Sequence, residues 1–368
     1  MNRRILGFIF SVLIFVSSAS CTPALLEREY SLETAHAEQA GLGTDPSVLR
    51  ADSYDSLVTA ILQLVSQGIT HGIIRLYNYP GDVKEDLAAA CLEVQQEDPL
   101  GAYCVDYMTH EYSRIISYYE AHIYITYRRS YEEIKSIVSA TGSSAIKSVL
   151  QDALLSFAPA AAVRISYLTE DEAFVQSLVE DAYYASPGAA FGLPECTVNF
   201  YPDSGEQRII EVRLAYQEPQ DTLLQWQAQV MQVATDLVSP VVSEDMTDTQ
   251  TVNQFYRTLR DRVEYANGDG RQNTIYDALV LQRADSEGLS LAFSLLCETA
   301  QMECHVVRGE KDGHAWFWNI VKIDGIYRHL DLGSLILEQA ATPAMRTDGQ
   351  MSAYIWDQDQ YPACTETS

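Results

Sequence analysis

Two stretches of this 368-residue chain follow the same order of elements at a fixed distance, and that recurrence limits the fold more than any single motif. In the first, SYDSLVTAILQLVSQ carries apolar residues at helical spacing, and GIIRLYNY is a β-rich run closed by Pro80-Gly81. VKEDLAAACLEVQQ reads as a helix with Asp82 at its N-cap and a stop before Pro99. AYCVDYMTHEY and IISYYEAHIYITYRR, dense in Tyr and Ile, read as paired strands. The second stretch repeats the order: SSAIKSVLQDALLSF a helix, AVRISYL a strand, DEAFVQSLVEDAYY a helix before Pro187, and ECTVNFYPDSGEQRIIEVRLAYQ a strand pair turned at Pro202 to Gly205. Ile74-Arg75-Leu76 and Val163-Arg164-Ile165 are 89 positions apart, and so are Tyr127 and Tyr216. The expected class is therefore α+β, with one helix-strand-helix-strand-strand unit over 50–140 and a second over 141–220. Neither unit has enough elements to cover both sheet faces, so the two are expected to pack as a double module. The Tyr-rich strands are read either as ordinary core and half-exposed strand or as a ligand-binding face.

The ends of the chain say where it works. Arg3 and Arg4 precede an apolar run from Ile5 to Val16, and Ser18, Ala19 and Ser20 precede Cys21. This resembles a bacterial lipoprotein signal over 1–20, which implies cleavage before Cys21, lipid attachment to its thiol and anchorage to the outer side of a membrane. An ordinary secretory signal cut nearby is the alternative. Residues 21–49 have few aromatics and no period, and read as a flexible tether. Without Arg3 and Arg4 the chain has 22 basic against 51 acidic residues, a surface that repels nucleic acid and anionic head groups. Six cysteines remain after Cys21: Cys91, Cys104, Cys196, Cys297, Cys304 and Cys364. That is far below the density of a disulfide scaffold, and most are expected to be buried free thiols.

Residues 221–245 hold a connecting helix around Thr222 to Leu237, and 246–368 form a last domain entered by the amphipathic DTQTVNQFYRTLRDRVEYA. Its NGDGRQN segment lacks the ligand pattern of a calcium loop, and neither a metal nor a cofactor is expected. YDALVLQRADSEGLSLAFSLLCETAQMECHVVRG then leads into DGHAWFWNIVKIDGIYRHLDL. Ser286, His314 and Asp331 fall at element ends. They have the types and order of a nucleophile, a base and an orienting carboxylate, or equally of a first helical residue, a satisfied histidine and a turn aspartate.

YDALVLQRADSEGLSLAFSLL, HVVRG, GHAW, Asp324-Gly325 and YRHLDL together resemble the transglutaminase-like domain of bacterial proteins over 250 to about 335. YIWDQDQYPAC lies where related envelope proteins end similarly. The resemblance implies a papain-like fold and a scaffold used by cysteine proteases, transglutaminases and related amide-processing enzymes. His314 matches the family histidine and Asp331 the family aspartate, while Gly288, Ala292 and Phe293 match small and apolar positions of the nucleophile helix. Ser286 stands where the family has cysteine, and a hydroxyl supplies no thiolate at neutral pH. Asp-Gly also sets a tight hairpin that pairs Ile323 with Ile326 and puts Asp331 opposite Trp318. His314 is then four positions from that point, where hairpins of the family usually leave about two, an excess of about 7 Å unless a bulge around Phe317 and Trp318 absorbs it. The expected function is that of a membrane-anchored, catalytically degenerate domain that binds a peptide or cell-wall component. The alternative is an amide or ester hydrolase, or acyl transferase, that uses Ser286, His314 and Asp331.

Overall fold

The computed structural model describes residues 48–167, 170–243, 245–266 and 272–365. The leader, Cys21 and most of the tether lie outside these residues, as does most of NGDGRQN. The first unit runs β1 (Val48–Ala51), α1 (Tyr54–Ser66), β2 (His71–Tyr77), α2 (Val83–Gln96), α3 (Pro99–Cys104), β3 (Val105–Ile115) and β4 (Tyr118–Tyr127). Local chemistry sets the helix ends. Ser53 and Ser56 close a capping box on α1, and the Asp82 carboxylate accepts the Lys84 and Glu85 N–H groups of α2 at 2.9 and 3.1 Å. Pro99 does more than stop α2. With Asp98 as N-cap it starts α3, so Ala102 to Cys104, expected in a strand, are helical. The sheet order is β1-β2-β4-β3, with β1 parallel to β2 and the other pairs antiparallel. Val48 and Leu49, read as the tether's end, begin β1, a strand too short to show a period.

After α4 (Tyr131–Lys135), the second unit runs β5 (Val138–Ala140), α5 (Ser143–Leu155), β6 (Ala160–Ile165), α6 (Glu172–Tyr184), β7 (Glu195–Tyr201) and β8 (Arg208–Ala215). Its sheet order, β5-β6-β8-β7, is that of the first sheet. Leu49, Ile74 and Ala121 lie side by side in the first, and Val138, Val163 and Ile210, each 89 residues on, do so in the second.

The third part comprises α7 (Gln220–Val238), α8 (Asp248–Arg262), β9 (Glu264–Tyr265), β10 (Arg283–Ala284), α9 (Ser286–Thr299), β11 (Cys304–Lys311), β12 (His314–Ile323), β13 (Ile326–Leu330), α10 (Leu332–Leu337) and β14 (Tyr354–Trp356). Its sheet is ordered β13-β12-β11-β14, all antiparallel, and the Asp324-Gly325 turn pairs Ile323 with Ile326 as expected. Among the described residues no helix is long and apolar enough to cross a membrane.

The packing partners differ from a double module. The first unit has its own core, which Ile134 of α4 and Ala162 and Ile209 of the second unit's sheet join. At that junction Tyr103 packs edge-on to Tyr201 at 5.3 Å, and Arg129 pairs with the nearly buried Glu211 at 2.8 Å. The second unit's other side, from α5 and α6, shares one continuous core with α7, α8, α9 and the third sheet. A division at 221 and 246 therefore cuts through a single apolar interior, because α7 lies on α9 and Tyr184 of α6 on Phe317 of β12.

Candidate functional site

Ser286 is the first residue of α9 and is 6 % exposed. Asp285 precedes it as N-cap and accepts the Glu287 and Gly288 N–H groups at 2.9 and 3.2 Å. Gly288 must be small: a Cβ there would lie 2.9 Å from Ala284 Cβ and 3.0 Å from Thr274 O. Ala292 and Phe293 are fully buried and hold the helix in the core. The helix thus presents its N-terminus to β12, where the Phe317 N–H points to Ser286 Oγ at 3.4 Å.

Asp331 follows Leu330, which pairs with Asn319, so the hairpin register carries it to the level of Trp318. It caps α10 by accepting the Ser334 N–H at 3.0 Å. Its other oxygen accepts from Tyr354 OH at 2.6 Å, Trp316 Nε1 at 3.1 Å and the Ser334 hydroxyl. The Lys311 ammonium lies 3.7 Å from the same oxygen, against Ser334 Oγ and between the rings of Trp316 and Tyr354. Only 4 % of Asp331 is exposed, and its two oxygens accept four hydrogen bonds.

His314 is not among those donors. It is exposed and begins β12, paired with Lys311 across the Asp312-Gly313 turn. The β11–β12 register is unbroken from Cys304–Val321 to Lys311–His314, so no bulge draws the imidazole inward. Two residues further on, about 7 Å along the strand, Trp316 takes the place beside Asp331. Gly333 shows how tightly that place is filled: a Cβ on it would lie 3.0 Å from Trp316 Cζ2, 3.3 Å from Ser286 Cβ and 3.4 Å from Tyr265 Cε2. Of the three expected residues, Asp331 bonds Trp316, Ser286 lies across Gly333 from the same ring, and His314 stands apart. The hairpin register puts Trp316 two positions before Trp318, the residue at the level of Asp331.

Burial perturbs the groups around this point. It raises the Glu287 carboxyl, against hydrogen bonds from Asn273 and Tyr184 that hold it down. It also pushes the Tyr265 phenol up to about 12, with Asp285 and Asp331 adding to the rise.

Behind the site lies a polar network that sequence reasoning missed. Trp318 Nε1 donates to His329 Nδ1 at 2.9 Å, and His329 Nε2 meets Asp348 Oδ1 at 2.8 Å, next to Cys364. His, Asp and Cys are metal-ligand types, and this is the metal-ligand cluster found among the described residues. The indole decides against it. An indole N–H only donates, so Nδ1 carries the lone pair and Nε2 the proton, and that proton points at Asp348 rather than leaving a lone pair for an ion. The same register places His329 opposite Ile320, on the face of Trp318, and could have signalled the contact.

No protein-family model matches the chain, and no curated protein matches it. It is similar to solved structures described as a TGase (TM-score 0.27, 10% identity, 56% of this chain and 56% of that one), a proposed cysteine protease from Cytophaga hutchinsonii (0.26, 11%, 44% and 70%) and a proposed protease from Parabacteroides distasonis (0.24, 8%, 74% and 40%). The chain thus spans little more than half of the TGase structure.

Proposed function

We propose that the C-terminal domain is a transglutaminase-like scaffold that has lost its chemistry and binds a peptide or cell-wall component. The observation that carries this reading is the Trp316 indole N–H on Asp331, at 3.1 Å, where a catalytic base would have to stand. A base must accept a proton from the nucleophile, and an indole nitrogen has no lone pair to do so. With serine at the head of α9 there is no thiolate, and with tryptophan beside Asp331 nothing generates an alkoxide. The strongly acidic composition suits a cationic peptide as ligand, and the Arg3 to Cys21 leader supports anchorage at an outer membrane face.

Thiol labelling tests the loss of chemistry. In Ser286→Cys, iodoacetamide should label the new thiol no faster than the buried cysteines, and His314→Ala should change nothing. Adding Trp316→His to Ser286→Cys should raise the rate on the order of tenfold or more, by placing an imidazole beside the thiol. Rapid labelling of Ser286→Cys that vanishes with His314→Ala, or stoichiometric reaction of wild-type Ser286 with a fluorophosphonate, would overturn the reading. Anchorage is checked by radiolabelled palmitate, whose incorporation should be lost in Cys21→Ala.

A further inference from the structure

Away from the Ser286 site, the far end of α9 turns back on itself. Gln301 adopts a left-handed conformation (φ 60°), the Met302 N–H returns to Cys297 O at 2.8 Å, and β11 then starts at Cys304. This reversal sets Cys304 against the end of α9, where it acts on the Cys297 thiol alongside burial. Their surroundings are unlike. Cys297 is fully buried in the shared core. Cys304 is partly exposed and lines a cavity of about 360 Å³ between α5, α6, α9 and β11, alongside Lys147, Tyr184, Glu298 and Arg308. The amide of Asn319, itself fully buried and anchored to Ser290 O at 3.0 Å, points Nδ2 at Cys304 Sγ from 3.6 Å.

We infer that Cys304 and Cys297 are a thiol pair that reacts with small-molecule disulfides, with Cys304 the attacking residue and Cys297 the resolving one. The cavity that Cys304 lines is the route by which the disulfide would reach it, and Asn319 Nδ2 lies 3.6 Å from the sulfur that attacks. Burial holds the Cys297 thiol well above its ordinary value, which suits it to the second step rather than the first. In the first step the Cys304 thiolate attacks one sulfur of the disulfide, forms a mixed disulfide and releases a thiolate. Cys297 then gives its proton to that released thiolate and attacks Cys304 Sγ, expelling a second thiolate, which takes up from solvent the proton that Cys304 lost on ionising. The two protein thiols are oxidised to one disulfide, and the small disulfide is reduced to two thiols. This inference does not depend on the reading of Ser286.

The test uses the full chain, oxidised glutathione and non-reducing peptide mapping by mass spectrometry. In the wild type, two alkylatable thiols should disappear together and a peptide cross-linked through Cys297 and Cys304 should appear. Cys297→Ser should stop at a glutathione adduct on Cys304, and Cys304→Ser should give neither product. Cys196, also partly exposed, is the internal control. Full alkylation of the folded wild type after treatment, a bridge between another pair, or an adduct on Cys196 forming as fast as one on Cys304 would overturn the inference. The wild-type map decides the question even if Cys297→Ser does not fold.

Discussion

Replacing Asp331 by Ala is the most direct probe of the network around its carboxylate. The change removes the α10 cap, about 1 kcal/mol in comparable helices. It also leaves the Trp316 N–H and the Tyr354 O–H, 3.1 and 2.6 Å from the lost oxygen, without their acceptor. Each orphaned donor costs about 1–3 kcal/mol where water cannot reach it. The Lys311 ammonium, 21 % exposed, loses its counter-charge. These terms overlap, and breaking a largely buried ion pair by removing one partner costs about 3–5 kcal/mol in all. The measurement is urea unfolding followed by tryptophan fluorescence. Trp316, Trp318 and Trp356 all lie in or against one cluster beside the site, so three of the chain's four tryptophans report this domain. With a slope of about 2–3 kcal/mol per molar urea, the midpoint should fall by roughly 1–2 M. Lys311→Met on the Asp331→Ala background should cost less than it does alone, by about 1 kcal/mol or more, since the stranded charge is then gone. A midpoint shift under about 0.4 M, corresponding to about 1 kcal/mol, or strictly additive single and double variants, would refute the account of Asp331 as a structural hub.

Burial lowers the basicity of His329, with Asp348 opposing the shift, so the folded imidazole protonates at lower pH than the unfolded one. Below about pH 6.5 the unfolded chain therefore binds the extra proton first, and stability should fall as pH drops from 6.5 towards 5. His329→Gln should flatten that slope in melting temperature measured against pH, and an unchanged slope would exclude His329 as its source. At the junction of the first two units, Glu211→Ala strands Arg129, whose side chain is 13 % exposed, and should cost about 3–5 kcal/mol. Limited proteolysis should then cut the chain between Arg129 and Ser143 faster than in the wild type, and equal rates would count against the pair as the junction's lock.

Much of this fold follows from rules that act within a few residues. Asp82 before α2, the Asp324-Gly325 turn, and the 89-residue offset that returns in the register of both N-terminal sheets were all legible, because caps, tight turns and strand periods need no distant partner. The strands β1 and β5 were not, being four and three residues long. Nor was α3, where a proline that ends one helix begins another.

The site divides in the same way. Ser286 at the head of its helix and Asp331 at the end of its hairpin could be placed from the sequence, since each position is set by its own element. Which side chain fills the space between them depends on β11, β12 and α10 meeting without a bulge. That meeting puts Trp316 beside Asp331 and leaves His314 in solvent. The joining of the second unit to the C-terminal domain is likewise a matter of which apolar faces find each other. Sequence alone determined most of the longer elements and the order of candidate residues. Only the tertiary structure decided which of those residues touch, because burial and contact are properties of several chain segments at once.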